Sequence, residues 1–310
     1  MHFVFLLIMS KLLKLLKLIE LARPKQWLKN FFVFAAILFA GKFLEPNLLL
    51  KNIAAFVVFS LTSSIVYIIN DIADAEADKV HKKKRFRPVA SGAVNPKEAL
   101  IFAFFLAVLC VLLLLKMNTF FSAVIGTYFI LNILYSFKLK HIVILDVFII
   151  SIGFMLRVEG GAAAIDVPIS SWMILTTIFL SLFLGISKRR AELTQYEIDN
   201  IENQRRVLTH YDISFTDQIN TVAATGTIIC YALYTVSDKA ISTFNTENLI
   251  YTTPFVIYGI FRYLYLLHKK NLGESPEQIV TKDLSLIINI MLWFVIAFTI
   301  IYKSKIPGLN

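Results

Sequence analysis

Nine largely apolar runs decide what this chain can become. They fall at about 28–44, 49–69, 98–115, 119–137, 142–163, 170–187, 217–237, 250–267 and 284–302. Each can cross a bilayer as a helix, since roughly 20 residues span ~30 Å. In lipid, backbone amides must be bonded within their own segment. The expected fold is therefore an all-α integral membrane bundle of nine transmembrane helices. Of the 310 residues, 57% are hydrophobic, which agrees. In a soluble chain the net charge of +10 would suggest nucleic-acid binding; here membrane orientation accounts for it, and no nucleic-acid partner is expected.

With the N-terminus inside, 24 of the 31 Lys and Arg lie on the inner side and six on the outer, with Arg157 inside a span. That asymmetry predicts a cytoplasmic N-terminus and an outer C-terminus in the plasma (inner) membrane. The longer polar connections, 70–97, 188–216 and 268–283, then share the cytoplasmic face, where a cavity and the chemistry are expected. Residues 1–22 read as a separate interfacial segment, because Lys11, Lys14 and Lys17 recur at spacing three among leucines. Residues 23–310 read as one catalytic domain. The apolar start lacks the basic region and cleavage site of a signal peptide, and Met9 is an alternative start. Cys110 and Cys230 sit inside apolar runs and read as packing residues.

The most chemical stretch follows the second run: NDIADAEADKVHKKKRFRP, Asn70–Pro88. It places four acids in eight residues, then six Lys or Arg in nine. If the helix continues, Asp71, Asp74 and Asp78 share one face, and Asn70, Asp74 and Asp78 a neighbouring one. Stacked oxygen ligands suit Mg2+, which takes one or two carboxylates plus substrate phosphates. The cations beyond could hold those phosphates or simply anchor the span.

Three other clusters stand out. Tyr135–His141 (YSFKLKH) offers Lys138 and Lys140 as phosphate ligands or as orientation anchors. Gly185–Leu193 (GISKRRAEL) offers Lys188 and Arg189 for an anionic group, while Lys188 and Glu192 could form an i, i+4 surface pair. Arg157 and Glu159 form an ionisable pair within a span, either functional or a structural bridge. Asp283 reads as a helix cap or a ligand for a sugar hydroxyl.

Nine spans with N-D-x-x-D-x-x-x-D after the second resemble the UbiA superfamily of intramembrane prenyltransferases. Typical members carry a second acidic motif after the sixth span, where this chain has Lys188, Arg189, Arg190 and Glu192. RPKQWLKN (23–30), YIINDIADAEADKVHKKKRFRPVASG (67–92), YSFKLKH, GFMLRVEGGAA (153–163) and GISKRRAEL are similar to a subgroup that acts on decaprenyl phosphate. There the donor is 5-phosphoribosyl diphosphate and the acceptor a polyprenyl phosphate, and the product feeds arabinosyl-lipid synthesis for the cell envelope.

The resemblance implies a Mg2+-dependent pentosyltransferase in a UbiA-like bundle. Asn70, Asp71, Asp74 and Asp78 would hold the metal and donor diphosphate, and Lys84, Arg85 or Arg87 the 5-phosphate. Lys25, Lys29, Lys138, Lys188 and Arg189 would meet the acceptor phosphate, with Tyr135 and Glu192 beside them. Ordinary UbiA prenyl transfer to an aromatic or other small acceptor is the alternative. A transporter or cation-binding scaffold is disfavoured, because the acids stand at the membrane edge rather than the midplane. Association into a homo-oligomer is left open.

Overall fold

The computed structural model describes residues 2–80, 84–199, 206–269, 279 and 282–303. Lys82, Lys83, much of the 268–283 connection and the C-terminal Asn310 lie outside the described residues. Every regular element described is helical. The helices are α1 (His2–Leu21), α2 (Val33–Phe39), α3 (Pro46–Ala73), α4 (Ala75–Lys79), α5 (Pro96–Leu114) and α6 (Thr119–Phe137). They continue with α7 (Leu145–Ile165), α8 (Ser171–Asp199), α9 (Ile213–Thr235), α10 (Asp238–Phe244), α11 (Thr253–Lys269) and α12 (Leu284–Tyr302).

Among the described residues seven helices are long and apolar enough to cross a membrane, or eight if the bent pair α9–α10 counts as one span. The run expected at 28–44 is a 3-10 helix, Pro24–Phe32, leading into the seven-residue α2. Caps set several helix starts. Asn95 and Glu98 close a capping box on α5, while Asn118, Asp212 and Asp283 cap α6, α9 and α12. The cap reading of Asp283 therefore holds, and the same carboxylate pairs with Arg262 at 2.8 Å.

Helix α7 is the central post. In its apolar window 72% is buried, against 17% for α12. On one side Leu156 and Ala163 pack with Val33, Phe59, Phe121 and Tyr128 of α2, α3 and α6. On the other, Val147 packs with Phe183, Ala223, Ile260 and Leu286 of α8, α9, α11 and α12. Small residues permit the closest approach: a Cβ on Gly161 would lie 2.0 Å from the Val33 carbonyl oxygen. The last helix closes onto the end of α2, since Tyr302 Oη accepts from the Phe43 N–H (2.9 Å) and donates to the Leu38 carbonyl (3.1 Å).

Candidate active site

The acidic stretch does not continue as one helix. Helix α3 ends at Ala73, and Asp74 serves as its C-cap and as the residue before α4. The break separates the carboxylates that a continuous helix would stack. Asp71 and Asp78 turn inward, 2% and 3% exposed, and Arg87 bridges them at 3.1 and 2.6 Å. Asp74 turns outward, accepts from Asn70 Nδ2 at 3.0 Å, and has Lys140 Nζ at 3.8 Å. Lys84 is half-buried and Arg85 exposed, with its guanidinium over Phe86.

One residue of this site escaped the reading by spacing. Arg23 reaches Asp71 Oδ1 at 2.5 Å across 48 residues of chain and lies over the Tyr67 ring. Its backbone is left-handed (φ 52°, ψ 59°) immediately before Pro24, an uncommon conformation for a non-glycine residue. The neighbouring chain is pinned: Ser64 Oγ donates to the Ala22 carbonyl, and Trp27 Nε1 donates to Ser64 Oγ. The sequence signal was its place at the head of RPKQWLKN. Lys25 is exposed and Lys29 half-buried along the same segment.

The segment after α6 joins this cluster to the second loop. Lys138 is exposed at the end of α6, and Lys140 faces Asp74. The 3-10 turn Leu139–His141 packs on residues Arg206–His210. Ile144 then adopts φ 67° and ψ −45°, with the Leu145 N–H donating to the Val143 carbonyl at 2.7 Å. That is a strained γ-turn, and the residue is β-branched. Tyr211 holds it: its Oη accepts from the Ile144 N–H (2.7 Å) and donates to Asp146 Oδ1 (2.8 Å). Burial first, then the Asp146 carboxylate, push the Tyr211 phenol above its ordinary range.

Arg189 belongs to this brace. It is 1% exposed, with Nε 2.9 Å from Asp146 Oδ2, and it also pairs with Glu192. So Glu192 takes Arg189 at i, i+3, where spacing suggested Lys188 at i, i+4. Tyr135 is a close electrostatic neighbour of Arg189. Lys188 is half-buried on the same turn.

Arg157 is buried, and its described partners are neutral rather than the expected Glu159. Nε donates to Asn30 Oδ1 (2.8 Å), and the terminal nitrogens to the Gly153 carbonyl (2.8 Å) and Tyr128 Oη (2.7 Å). It therefore ties the Pro24–Phe32 segment to α6 and α7, which is the bridging role.

Among the described residues no three His, Cys, Asp or Glu side chains form a metal-holding group. The hard oxygens of Asn70 and Asp74 nevertheless fit Mg2+, which completes its shell with phosphate and water rather than a full protein cage.

A helical membrane bundle with an N-D-x-x-D-x-x-x-D corner is the architecture of an intramembrane transferase. Residues 30–286 match the UbiA prenyltransferase family, and the chain belongs to it. It is 37% identical over 298 residues to the decaprenyl-phosphate phosphoribosyltransferase of Mycolicibacterium smegmatis, covering 93% of both chains. The enzyme of the same name from Mycobacterium tuberculosis is 33% identical over 279 residues, covering 89% of this chain and 91% of that one. A UbiA homolog from Archaeoglobus fulgidus, solved with GPP and Mg2+, has the same fold: TM-score 0.67 at 18% identity, covering 92% of this chain and 99% of that one.

Proposed function

We propose that this protein transfers 5-phosphoribose from 5-phosphoribosyl diphosphate to a polyprenyl phosphate and releases diphosphate. The observation that carries the reading is the likeness to the two mycobacterial phosphoribosyltransferases over nearly the full length of each chain. The sequence of the second loop supports it: Lys188 stands where a prenyl-diphosphate enzyme would need more acids, while Arg189 and Arg190 are taken up by Asp146, Glu192 and Asp217. The product would serve arabinosyl-lipid synthesis for the cell envelope.

Asn70, Asp71, Asp74 and Asp78 would together hold Mg2+ and the donor diphosphate. The metal, when bound, offsets charge that builds on the leaving diphosphate. Lys84 and Arg85 would take the 5-phosphate, and Lys25, Lys29, Lys138 and Lys188 the lipid phosphate. Arg189, held by Asp146 and Glu192, acts as a positioning residue. The C1–O bond to diphosphate breaks as an oxygen of the lipid phosphate bonds to C1 from the opposite face. That oxygen is already ionised at neutral pH, so no strong base is needed. Catalysis rests on positioning and electrostatics.

The Pro24–Phe39 segment would serve as a ninth crossing and α1 would lie in the interface. The site would open to the cytoplasm from the plasma membrane, where soluble donor and Mg2+ are available. Purified protein given labelled 5-phosphoribosyl diphosphate, polyprenyl phosphate and Mg2+ should form a phosphoribosyl lipid. Turnover of geranyl diphosphate with a phenolic acceptor, and none with the phosphoribosyl donor, would replace this reading with ordinary prenyl transfer.

A further inference from the structure

Asp71 and Asp78 are almost wholly buried, and two carboxylates this close need cations. They have two. Arg87 touches both, at 3.1 and 2.6 Å, and Arg23 touches Asp71 at 2.5 Å. The local charge of these four groups is zero. The guanidiniums are not sealed in, because their side chains are 24% and 25% exposed. Each holds a buried acid and still has an accessible edge, and a guanidinium offers five N–H donors for such double duty.

A divalent cation arriving alone at these acids would meet carboxylates that are already neutralised. It would either add two charges to a desolvated place or strand two arginines. A cation arriving with a diphosphate brings its own anion. The arginines can then pass from the carboxylates to the phosphate oxygens while the total stays balanced. We propose that Arg23 and Arg87 are exchangeable counterions of the acidic motif, so that the metal binds well only together with a diphosphate. This rests on the reading of the site as a Mg2+-diphosphate site, and it adds Arg23 and a compulsory coupling of metal to anion.

The geometry suits an exchange more than a fixed brace. The Arg23 backbone is locked by its left-handed turn, Pro24 and the Ser64 hydrogen bond, so only the side chain need move. Tyr67 provides an aromatic face on which the guanidinium rests, 4.9 Å from the ring centroid. Arg87 follows a short 3-10 turn and donates its N–H to the Lys84 carbonyl, so its backbone too is anchored.

The test uses the full-length protein in detergent, Mn2+ as the probe read by its EPR signal, and inorganic diphosphate as the anion. Wild type should bind Mn2+ weakly alone and at least about fivefold more tightly with diphosphate, the lower edge of ordinary site coupling. Arg87→Gln and Arg23→Gln should each bind Mn2+ alone more tightly than wild type and lose most of the diphosphate effect. Arg87→Lys, which keeps the charge, should stay close to wild type. Unchanged or weaker Mn2+ binding in both Gln variants, with melting temperatures like that of Arg87→Lys, overturns the proposal. So does a wild type whose Mn2+ affinity ignores diphosphate. Because no phosphoribosyl donor is used, a failed turnover assay leaves this result standing, and a failed exchange leaves the turnover assay standing.

Discussion

Arg189 and Asp146 meet at 2.9 Å with side chains 1% and 0% exposed, on helices whose sequence positions are 43 residues apart. A guanidinium so enclosed does not present itself to a lipid headgroup. Arg189→Ala should cost about 3–5 kcal/mol, because a buried carboxylate is left uncompensated. Asp146→Leu with Arg189→Met should recover most of that, read as melting temperature in detergent. If Arg189→Ala melts like wild type and only the Michaelis constant for lipid rises, Arg189 is a ligand rather than a brace.

Lys188 carries the corresponding expectation for the acceptor. A charge-assisted hydrogen bond to phosphate contributes roughly 1.5–3 kcal/mol. Lys188→Ala should therefore lower catalytic efficiency about tenfold to a hundredfold, mainly by raising the Michaelis constant for polyprenyl phosphate. Binding of 5-phosphoribosyl diphosphate without lipid should change little. Loss of donor binding instead would assign this turn to the other substrate.

Asp74 and Asp71 should separate cleanly. Asp74 is half-exposed, and its partners among the described residues are Asn70 and Lys140, so Asp74→Ala should abolish turnover in a protein that still folds and inserts. Asp71→Ala strands Arg23, leaves Arg87 with Asp78 alone, and should also lower the melting temperature. EDTA should stop wild-type turnover and added Mg2+ restore it; turnover that persists in EDTA removes the metal from the reading.

Tyr211 restrains a strained turn, and strain at such a residue costs of order 1–3 kcal/mol. Tyr211→Phe should destabilise the protein by roughly 1–3 kcal/mol, since the Ile144 N–H and Asp146 each lose a partner. Adding Ile144→Gly should recover part of this, because glycine accepts a positive φ. The raised phenol pKa means the neutral form is the one stabilised by folding. Its contribution is fully present below pH ~10, the ordinary tyrosine value, and is lost as pH rises beyond. Melting between pH 7 and 9 should show no step from this group, and a step there would contradict the assignment.

Much of this was legible in the chain because membrane helices advertise themselves by length. The run expected at 119–137 is α6, and the last, 284–302, is α12. The acids were found because they are neighbours in sequence. Their division into an inner pair and an outer Asp74 was not, because a single turn at residue 74 decides it. Arg23 on Asp71 and Arg157 on Asn30 were also hidden. They join residues 48 and 127 positions apart, and no periodicity encodes such a meeting. Burial likewise recast Arg189, since a basic turn reads alike whether its guanidinium faces water or a carboxylate.

Gly161 gives the bundle a datum. With the Val33 carbonyl seated where a side chain would begin, α2 cannot slide along α7. The nine residues Pro24–Phe32 then act as a measured rod from that fixed point down to Arg23. A 3-10 rod advances about 2 Å and turns a third of a circle per residue. One inserted residue would therefore swing Arg23 off Asp71 altogether, so the acidic corner is set to length by a glycine about 18 Å away along the rod.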